Sequence, residues 1–363
     1  MAELKTELKT LSKSDPEFKK YLLGDFSKVH RAIPIQSLNV ATETETVTFK
    51  IVPVQEIVPP PFFQKWAQIL KLKNFVLLAF PIFVLLVKNE LDQVAVNANL
   101  ALLNVFGCVS LLAAMNLRND YRDHLSGLDR VHPESGSRAI QLGWLTALET
   151  KTKSTLFVIL GAFFGLPALI AHPQLSFVLA VTFILVGLME ASYRSGLKYR
   201  WWTEVLVFFL FGPIFTWGFQ MGIGIELDFE SIFVGIISGW LSVFVIHIRN
   251  FEAIMVNDQA GFFNSVSSLG FERSKTLLWF WWFVLIFGMD LFHWYFAHDA
   301  WLVSFVFITL GLSLMMLKII HSIKSPVASN FRPALDRAYR LTLILISLWV
   351  VENLSYLLMK EIG

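Results

Sequence analysis

The sequence predicts an all-α membrane protein with about nine transmembrane helices and a cytoplasmic N-terminus. Three observations carry that expectation. The chain of 363 residues is 55% hydrophobic, holds 34 Phe and 12 Trp, and is only 16% charged; its mean hydropathy of +0.59 is far from that of a soluble enzyme. Apolar runs long enough to cross a bilayer lie near 70–87, 98–115, 155–171, 174–191, 203–222, 231–248, 276–294, 301–320 and 341–358. The links between them alternate in charge. The second, fourth, sixth and eighth carry Arg118, Arg122, Arg130, Arg138, Lys151, Lys153, Arg194, Lys198, Arg200, Arg249, Arg273, Lys275, Lys324, Arg332, Arg337 and Arg340. The other links carry Lys88 and otherwise acids, including Glu90, Asp92, Glu226, Asp228, Glu230 and Asp299. Basic links remain on the cytoplasmic side.

Composition excludes some chemistry. The lone Cys108 lies inside an apolar run, which rules out a disulfide framework and a Cys-based metal site. The first sixty residues are polar and rich in Lys and Glu, so no cleavable signal peptide is expected. Residues 1–65 read as a cytoplasmic extension, and residues 66–363 as the membrane domain. In the extension, Leu4, Leu8 and Leu11 flanked by Lys5, Lys9 and Lys13 suggest a helix lying on a surface. Residues 41–52 alternate Thr and Glu with Val, Phe and Ile as a strand does. Pro59-Pro60-Pro61 stiffens the entry to the first span.

The most informative segment follows the second apolar run: Asn119-Asp120-Tyr121-Arg122-Asp123, then Ser126-Gly127 and Asp129. Carboxylates next to hydrocarbon are costly unless a cation or charged ligand uses them. On a helix Asn119 and Asp123 share a face, with Asp120 on the adjoining one. Ser126-Gly127 can end that helix and let Asp129 fold back toward the same centre. Clustered hard oxygens suit Mg²⁺, which bridges to phosphates, and Arg138 can hold a phosphate oxygen through charge-assisted hydrogen bonds. The alternative is a solvated loop whose acids pair with Arg118, Arg122 and Arg130.

Asn-Asp-x-x-Asp, Asp129 six residues on, Ser137-Arg138-Ala139 and Gly143-Trp144-Leu145 together resemble the first signature of the UbiA-type intramembrane prenyltransferases. Tyr193-Arg194-Ser195-Gly196, Glu204 and Phe211-Gly212-Pro213 extend the likeness toward the branch that prenylates 1,4-dihydroxy-2-naphthoate. The resemblance covers about residues 66–358. It implies nine helices, with acidic motifs after the second and sixth on the cytoplasmic side.

The second signature departs from the family pattern. Ala260-Gly261 matches its anchor, but Ala253 and Asn257 stand where two Asp are expected, and Phe262 replaces a Lys. Either Glu252 and Asp258 take over as metal ligands, or the second metal position is lost. Asn supplies no charge for Mg²⁺.

The resemblance implies Mg²⁺-dependent prenyl transfer from a polyprenyl diphosphate donor to a lipophilic aromatic, quinone-precursor acceptor in contact with membrane lipid. No nucleic-acid partner is expected. Asp123 and Asp129, with Asn119 or Asp120, would hold the metal. Arg138, Arg194 and Lys198 would bind the departing diphosphate, Arg249 and Asn257 would add substrate contacts, and Tyr193 would orient a reactant. Arg122, where the branch usually has an apolar residue, could pair with Asp129 or meet a more anionic acceptor. His124 and His132 read as loop residues facing water, and His247 as a hydrogen-bonded residue at a helix interface. Trp201-Trp202 and Trp281-Trp282 read as aromatic belts at helix ends. CDP-alcohol phosphotransferases share acids and Mg²⁺ but need a longer Asp/Gly/Ala-Arg pattern that is absent from this sequence. A degenerate relative that binds or transports a prenyl lipid is the remaining alternative. Transporters place their sites at mid-membrane, whereas these acids lie in cytoplasmic links.

Overall fold

The structure is a computed structural model that describes residues 7–40, 42–131, 136–190, 202–259, 264–296 and 301–362. Its N-terminal elements are β1 (Glu7–Ser12), α1 (Phe18–Leu23), β2 (His30–Leu38), β3 (Thr46–Pro53) and α2 (Phe62–Ile69). Then come α3 (Val76–Leu91), α4 (Ala98–Ser126), α5 (Leu128–Val131), α6 (Ala147–Ala171) and α7 (Leu175–Glu190). The remainder is α8 (Trp202–Phe211), α9 (Pro213–Gly222), α10 (Phe229–Glu252), α11 (Ile254–Gln259), α12 (Ser265–Phe296), α13 (Trp301–Ser322) and α14 (Phe331–Ile362). Contacts divide the chain into two compact units. One holds the residues up to Phe75 together with Phe106–Gly165; the other holds Val76–Val105 and the residues from Leu166 onward.

The first unit corrects the all-α expectation. An antiparallel three-stranded sheet in the order β1-β3-β2 occupies its N-terminal part. Leu8 and Leu11 stand on β1 instead of a surface helix, because Leu11 packs with Val47, Phe49 and Ile51 of β3 and Phe18 of α1. Val47, Phe49 and Ile51 fall at every second position, which is the period of a strand with one buried face. The strand expected at 41–52 is therefore present as Thr46–Pro53. In the helical part of the unit, α6 opens with a reciprocal cap. The Thr146 N–H donates to Glu149 Oε2 at 2.7 Å, and the Glu149 N–H donates to Thr146 Oγ1 at 3.0 Å. Ile69, Leu117, Ala139 and Leu145 form a separate core beneath the acidic segment.

The second unit is built around α10, whose residues from Val234 to Ile248 are mostly buried. Its cap is Asp228, whose carboxylate accepts the Ser231 N–H at 2.7 Å. The apolar run over 203–222 is broken at Gly212-Pro213, where Gly212 has φ −111° and ψ −111°. A side chain at Gly212 would come within 2.5 Å of the Gly235 carbonyl and 2.8 Å of Gly239 Cα, so glycines at these positions let two helices touch. Gly270 (φ 74°, ψ 176°) likewise kinks α12 near its start. Inside the unit, Asn89, Gln220 and Ser231 satisfy one another through side-chain hydrogen bonds.

Among the described residues, seven helical stretches are long and apolar enough to span a membrane. The run at 175–188 is helical but shorter. Phe163, Ile170, Phe183, Phe283 and Phe307 stand exposed on these helices, as lipid-facing side chains would. Trp282 is not a belt residue: it is fully buried and donates Nε1–H to Ser313 at 3.2 Å.

Candidate active site

The polar segment continues the apolar α4 for two further turns, placing Asn119, Asp120 and Asp123 on one helix end. Asn119 Nδ2–H donates to Asp123 Oδ2 at 2.6 Å, across one helical turn. Ser126 then ends the helix by donating Oγ–H to the Asp123 carbonyl at 2.6 Å. Gly127 follows at φ +82° and reverses the chain, so Asp129 on α5 comes back toward α4. Gly136 closes the cluster. Its absent Cβ would stand 3.0 Å from Asp120 Oδ1 and 3.7 Å from Asp129 Oδ1, and its φ is +66°.

These acids are not a solvated loop. Asp120, Asp123 and Asp129 are 3%, 7% and 3% exposed. Two of the arginines that the loop reading paired with them have other contacts. Arg130 pairs with Glu45 at 2.5 Å, and Arg118 lies over the Tyr121 ring at 5.7 Å. The counterion to Asp120 is Lys71, whose Nζ is 2.5 Å from Oδ1; neither Asp120 oxygen has an aligned hydrogen-bond donor. Sequence reasoning missed Lys71, since a basic residue at the start of the first apolar run is common and its partner is far away along the chain. Gln141, also missed, donates Nε2–H to Asp129 Oδ2 at 2.8 Å.

Three buried carboxylates stand close enough to repel one another, with the Lys71 ammonium on one of them. Burial first, then repulsion from Asp123 and Asp120, pushes the Asp129 carboxyl up to about 7, despite its bond from Gln141 and the Lys71 charge. A hard divalent cation fits this donor set, because its charge offsets the repulsion between oxygen ligands. Beside the cluster, Arg138 has φ +60°, and the buried Nε atoms of Arg122 and Arg138 have no hydrogen-bond partner.

Leu22 and Glu45 of the N-terminal elements reach this helix end. His124 is buried at 1% exposure and bonds the Leu22 carbonyl through Nε2 at 2.9 Å, which corrects its reading as a water-facing residue. Glu45 and Arg130 form a buried pair, and Arg31 pairs with Glu149 at 2.9 Å. The extension is thus tied to the motif and not merely solvated.

In the second unit, α10 ends at Glu252, and Ala253 separates it from α11. Arg249 is held by Tyr339, with Glu252 nearby. Asn257 is 6% exposed, and Asp258 lies on α11. His247 bonds the Ser274 carbonyl at 2.9 Å, as expected for an interface residue. Tyr193, Arg194, Lys198, His132 and the anchor Ala260-Gly261 with Phe262 lie outside the described residues. The same unit gathers Asp92, Asp228 and Glu230 with oxygens within 4.8 Å of one another. Lys88 Nζ stands 2.7, 2.5 and 3.4 Å from them, and all three carboxylates are partly solvent-exposed, so this is a screened ion-pair knot at the end of α3 and the start of α10.

Comparison with known proteins agrees with the fold. A 1,4-dihydroxy-2-naphthoate octaprenyltransferase from Mycobacterium tuberculosis (strain ATCC 25618 / H37Rv) is 30% identical over 183 residues. The aligned part spans 49% of this chain and 60% of that protein's length. A UbiA homolog from Archaeoglobus fulgidus, solved bound to DMAPP and Mg²⁺, superposes with a TM-score of 0.55 at 11% identity. It covers 81% of this chain and 99% of its own. A structure of digeranylgeranylglyceryl phosphate synthase has a TM-score of 0.52 at 16% identity, with the same coverage. At such identities the likeness establishes the fold alone. Residues 78–335 match the UbiA prenyltransferase family along most of the membrane-embedded sequence. The chain belongs to the UbiA prenyltransferase family.

Proposed function

We propose that the protein transfers a polyprenyl group from an allylic diphosphate to an aromatic, quinone-precursor acceptor, with Mg²⁺ as cofactor. The observation that carries this reading is the trio of buried carboxylates, Asp120, Asp123 and Asp129, with Lys71 as ion-pair partner to one of them. The naphthoate prenyltransferase relative supports the acceptor class. The UbiA homolog bound to DMAPP and Mg²⁺ supports the donor and the cofactor.

In this reading Asp120, Asp123 and Asp129, with Asn119, would hold Mg²⁺, whose charge would offset that of the departing diphosphate. The prenyl carbon–oxygen bond breaks, the diphosphate takes the electron pair, and the acceptor carbon bonds the allylic cation and loses a proton. Asn119 fixes the Asp123 carboxylate through their hydrogen bond. Arg138 offers an unpartnered N–H to a phosphate oxygen, and Arg122 offers another. Tyr193 orients a reactant, and Arg194 and Lys198 add charge to the diphosphate site. Arg249, Asn257, Glu252 and Asp258 are taken as the substrate- and metal-binding groups of the second polar segment. Nine spans, a cytoplasmic N-terminus and an acidic motif facing the cytoplasm follow from the charge of the links. Residues 1–65 are then cytoplasmic, and 66–363 are the membrane domain.

The test is prenyl transfer by purified protein given labelled geranylgeranyl diphosphate and dihydroxynaphthoate, with and without Mg²⁺. Product that requires Mg²⁺ and disappears in Asp123→Asn supports the reading. Diphosphate binding that needs Asp123 without any transfer would favour a binding protein, a reading that Ala253 and Asn257 make specific by supplying no carboxylate. Loss of both activities would end the proposal.

A further inference from the structure

Helix α2 carries one apolar arc along its length. Phe62, Phe63, Trp66, Ile69 and Leu70 are spaced i, i+1, i+4, i+7 and i+8, while Gln64, Lys65 and Gln68 occupy the other side. In the second turn the protein itself covers this arc. Ile69 is fully buried with Leu117, Ala139 and Leu145, and Trp66 and Leu70 pack against the same core. In the first turn that core has run out. Phe62 and Phe63 continue the arc at 69% and 86% exposure, their rings edge to face at 5.6 Å. Contiguous aromatic surface of this kind marks a contact with an apolar partner.

The neighbouring side chains indicate which partner. Residues 62–75 contain Lys65, Lys71 and Lys73 and no acid. On the first turns of α6, Lys151 is exposed, and Lys153 Nζ stands 5.2 Å from the centre of the Trp66 ring. Glu149, the one acid on α6, is paired with Arg31 at 2.9 Å. One turn beyond Lys153, Phe157 packs on the same core as Trp66. Leu156, Ile159 and Phe163 then stand exposed along α6 as a lipid-facing stripe. The lysines therefore mark the level at which hydrocarbon gives way to headgroups, and Trp66 ties α2 to that level.

We propose that α2 is an interfacial anchor that binds anionic phospholipid, with Phe62 and Phe63 in the acyl boundary and Lys65, Lys151 and Lys153 on the headgroup phosphates. Aromatic rings beside basic side chains, with Glu149 already paired, complement a negative lipid surface. A zwitterionic surface would accept the rings and leave the ammonium groups without net counter-charge. The anchor is joined to the acidic motif. Gln68 Nε2–H donates to the Ser137 carbonyl at 2.9 Å, and Lys71, which follows the helix at φ +53°, is the ion-pair partner of Asp120. Lipid on the first turn thus steadies the helix whose far end supplies that charge. This surface goes beyond the proposed prenyl transfer and needs neither donor nor metal.

The experiment uses the full chain with Cys108→Ala in phosphatidylcholine nanodiscs containing EDTA, with a bimane label on Phe63→Cys. Brominated phosphatidylglycerol or brominated phosphatidylcholine is introduced over the same range of mole fractions, and quenching of the label is read. Both lipids should quench. Half-quenching should need about fivefold less of the phosphatidylglycerol, as one lysine at an anionic surface contributes. The triple change Lys65→Gln, Lys151→Gln and Lys153→Gln should erase that preference and leave quenching by phosphatidylcholine unchanged. A label on Phe163→Cys, lipid-facing but farther along α6, should be quenched equally by both lipids. Phe62→Cys serves if Phe63→Cys folds or labels poorly. Equal quenching by the two lipids at the α2 label, or a preference that survives the triple change, would overturn the proposal. So would a label that neither lipid quenches: access to aqueous iodide would then place the first turn in water, and shielding from iodide would show a protein surface covering it.

Discussion

Arg130 donates to Glu45 Oε1 at 2.5 Å, with the two side chains only 2% and 6% exposed. The same arginine donates NH1–H to the His124 carbonyl at 2.6 Å. A loop preceding strand β3 is thereby joined, through one guanidinium, to the end of the helix that carries the acidic motif. The pair is internal to the first unit, and its physical role is to hold the turn after Ser126 so that Asp129 returns toward Asp123.

Glu45→Gln should therefore leave a buried guanidinium without its counter-charge. Breaking such a pair from one side costs on the order of 3 kcal/mol. The melting temperature of the detergent-solubilised protein should fall, and its Mg²⁺ affinity should weaken several-fold as the turn loosens. Replacing both partners, Glu45→Leu with Arg130→Met, should recover much of the stability, which a double-mutant cycle measures. Full additivity of the two single changes would show that the pair is not coupled.

Lys71 is the ion-pair partner of Asp120. Lys71→Met should destabilise the metal-free protein by on the order of 3 kcal/mol. Mg²⁺ should restore more stability in this variant than in the parent, because a divalent cation then meets a more negative cluster. Thermal unfolding against Mg²⁺ concentration checks it. Equal stabilisation of the two proteins would mean that no cation binds near Asp120.

Asp129 keeps its proton up to about pH 7 in the fold, against an ordinary value of 3.8. A folded value above the unfolded one stabilises most fully below about pH 4, and that stabilisation is lost as pH rises through about 7. Metal-free protein should thus lose stability between about pH 4 and 7, and Asp129→Asn should flatten that slope. In the same window Mg²⁺ affinity should rise with pH, since binding displaces the proton. The faces that set this behaviour are Asp123, Asp120, Gln141 and Lys71. A slope unchanged in Asp129→Asn would assign it to another group.

Gly212 allows α8 and α9 to approach α10. An added methyl would meet backbone atoms of Gly235, Phe208 and Gly239 at 2.5–2.8 Å, and backbone cannot rotate away. Gly212→Ala should cost about 3 kcal/mol or more and cut the yield of folded protein. Gly288→Ala is the control, because its nearest contact would be Ile237 Cγ1 at an ordinary 3.6 Å. Monodispersity on size exclusion and melting temperature distinguish the two.

Much of this molecule is legible in one dimension. Apolar runs register as spans because the bilayer sets their length and leaves backbone polar groups no partner but the helix itself. The first motif is equally legible: Asn119 and Asp123 are one helical turn apart, and Ser126-Gly127 stops the helix where Asp129 can return. The strand at Thr46–Pro53 was visible in its period of two. Leu8 and Leu11 misled, since a three-residue spacing in so short a stretch fits a helix, while the partner strand that decides the matter lies some forty residues away. His124 misled for a related reason: its burial comes from the Leu22 carbonyl, which local sequence does not reveal. Which charges sit beside which carboxylate was decided by tertiary structure alone. Lys71 on Asp120 and Glu45 on Arg130 both depend on distant segments meeting in a low-dielectric interior, where an unpaired charge or hydrogen bond costs most. Periodicity along the chain determined the helices and the motif; long-range pairing in that interior decided the charge around the motif.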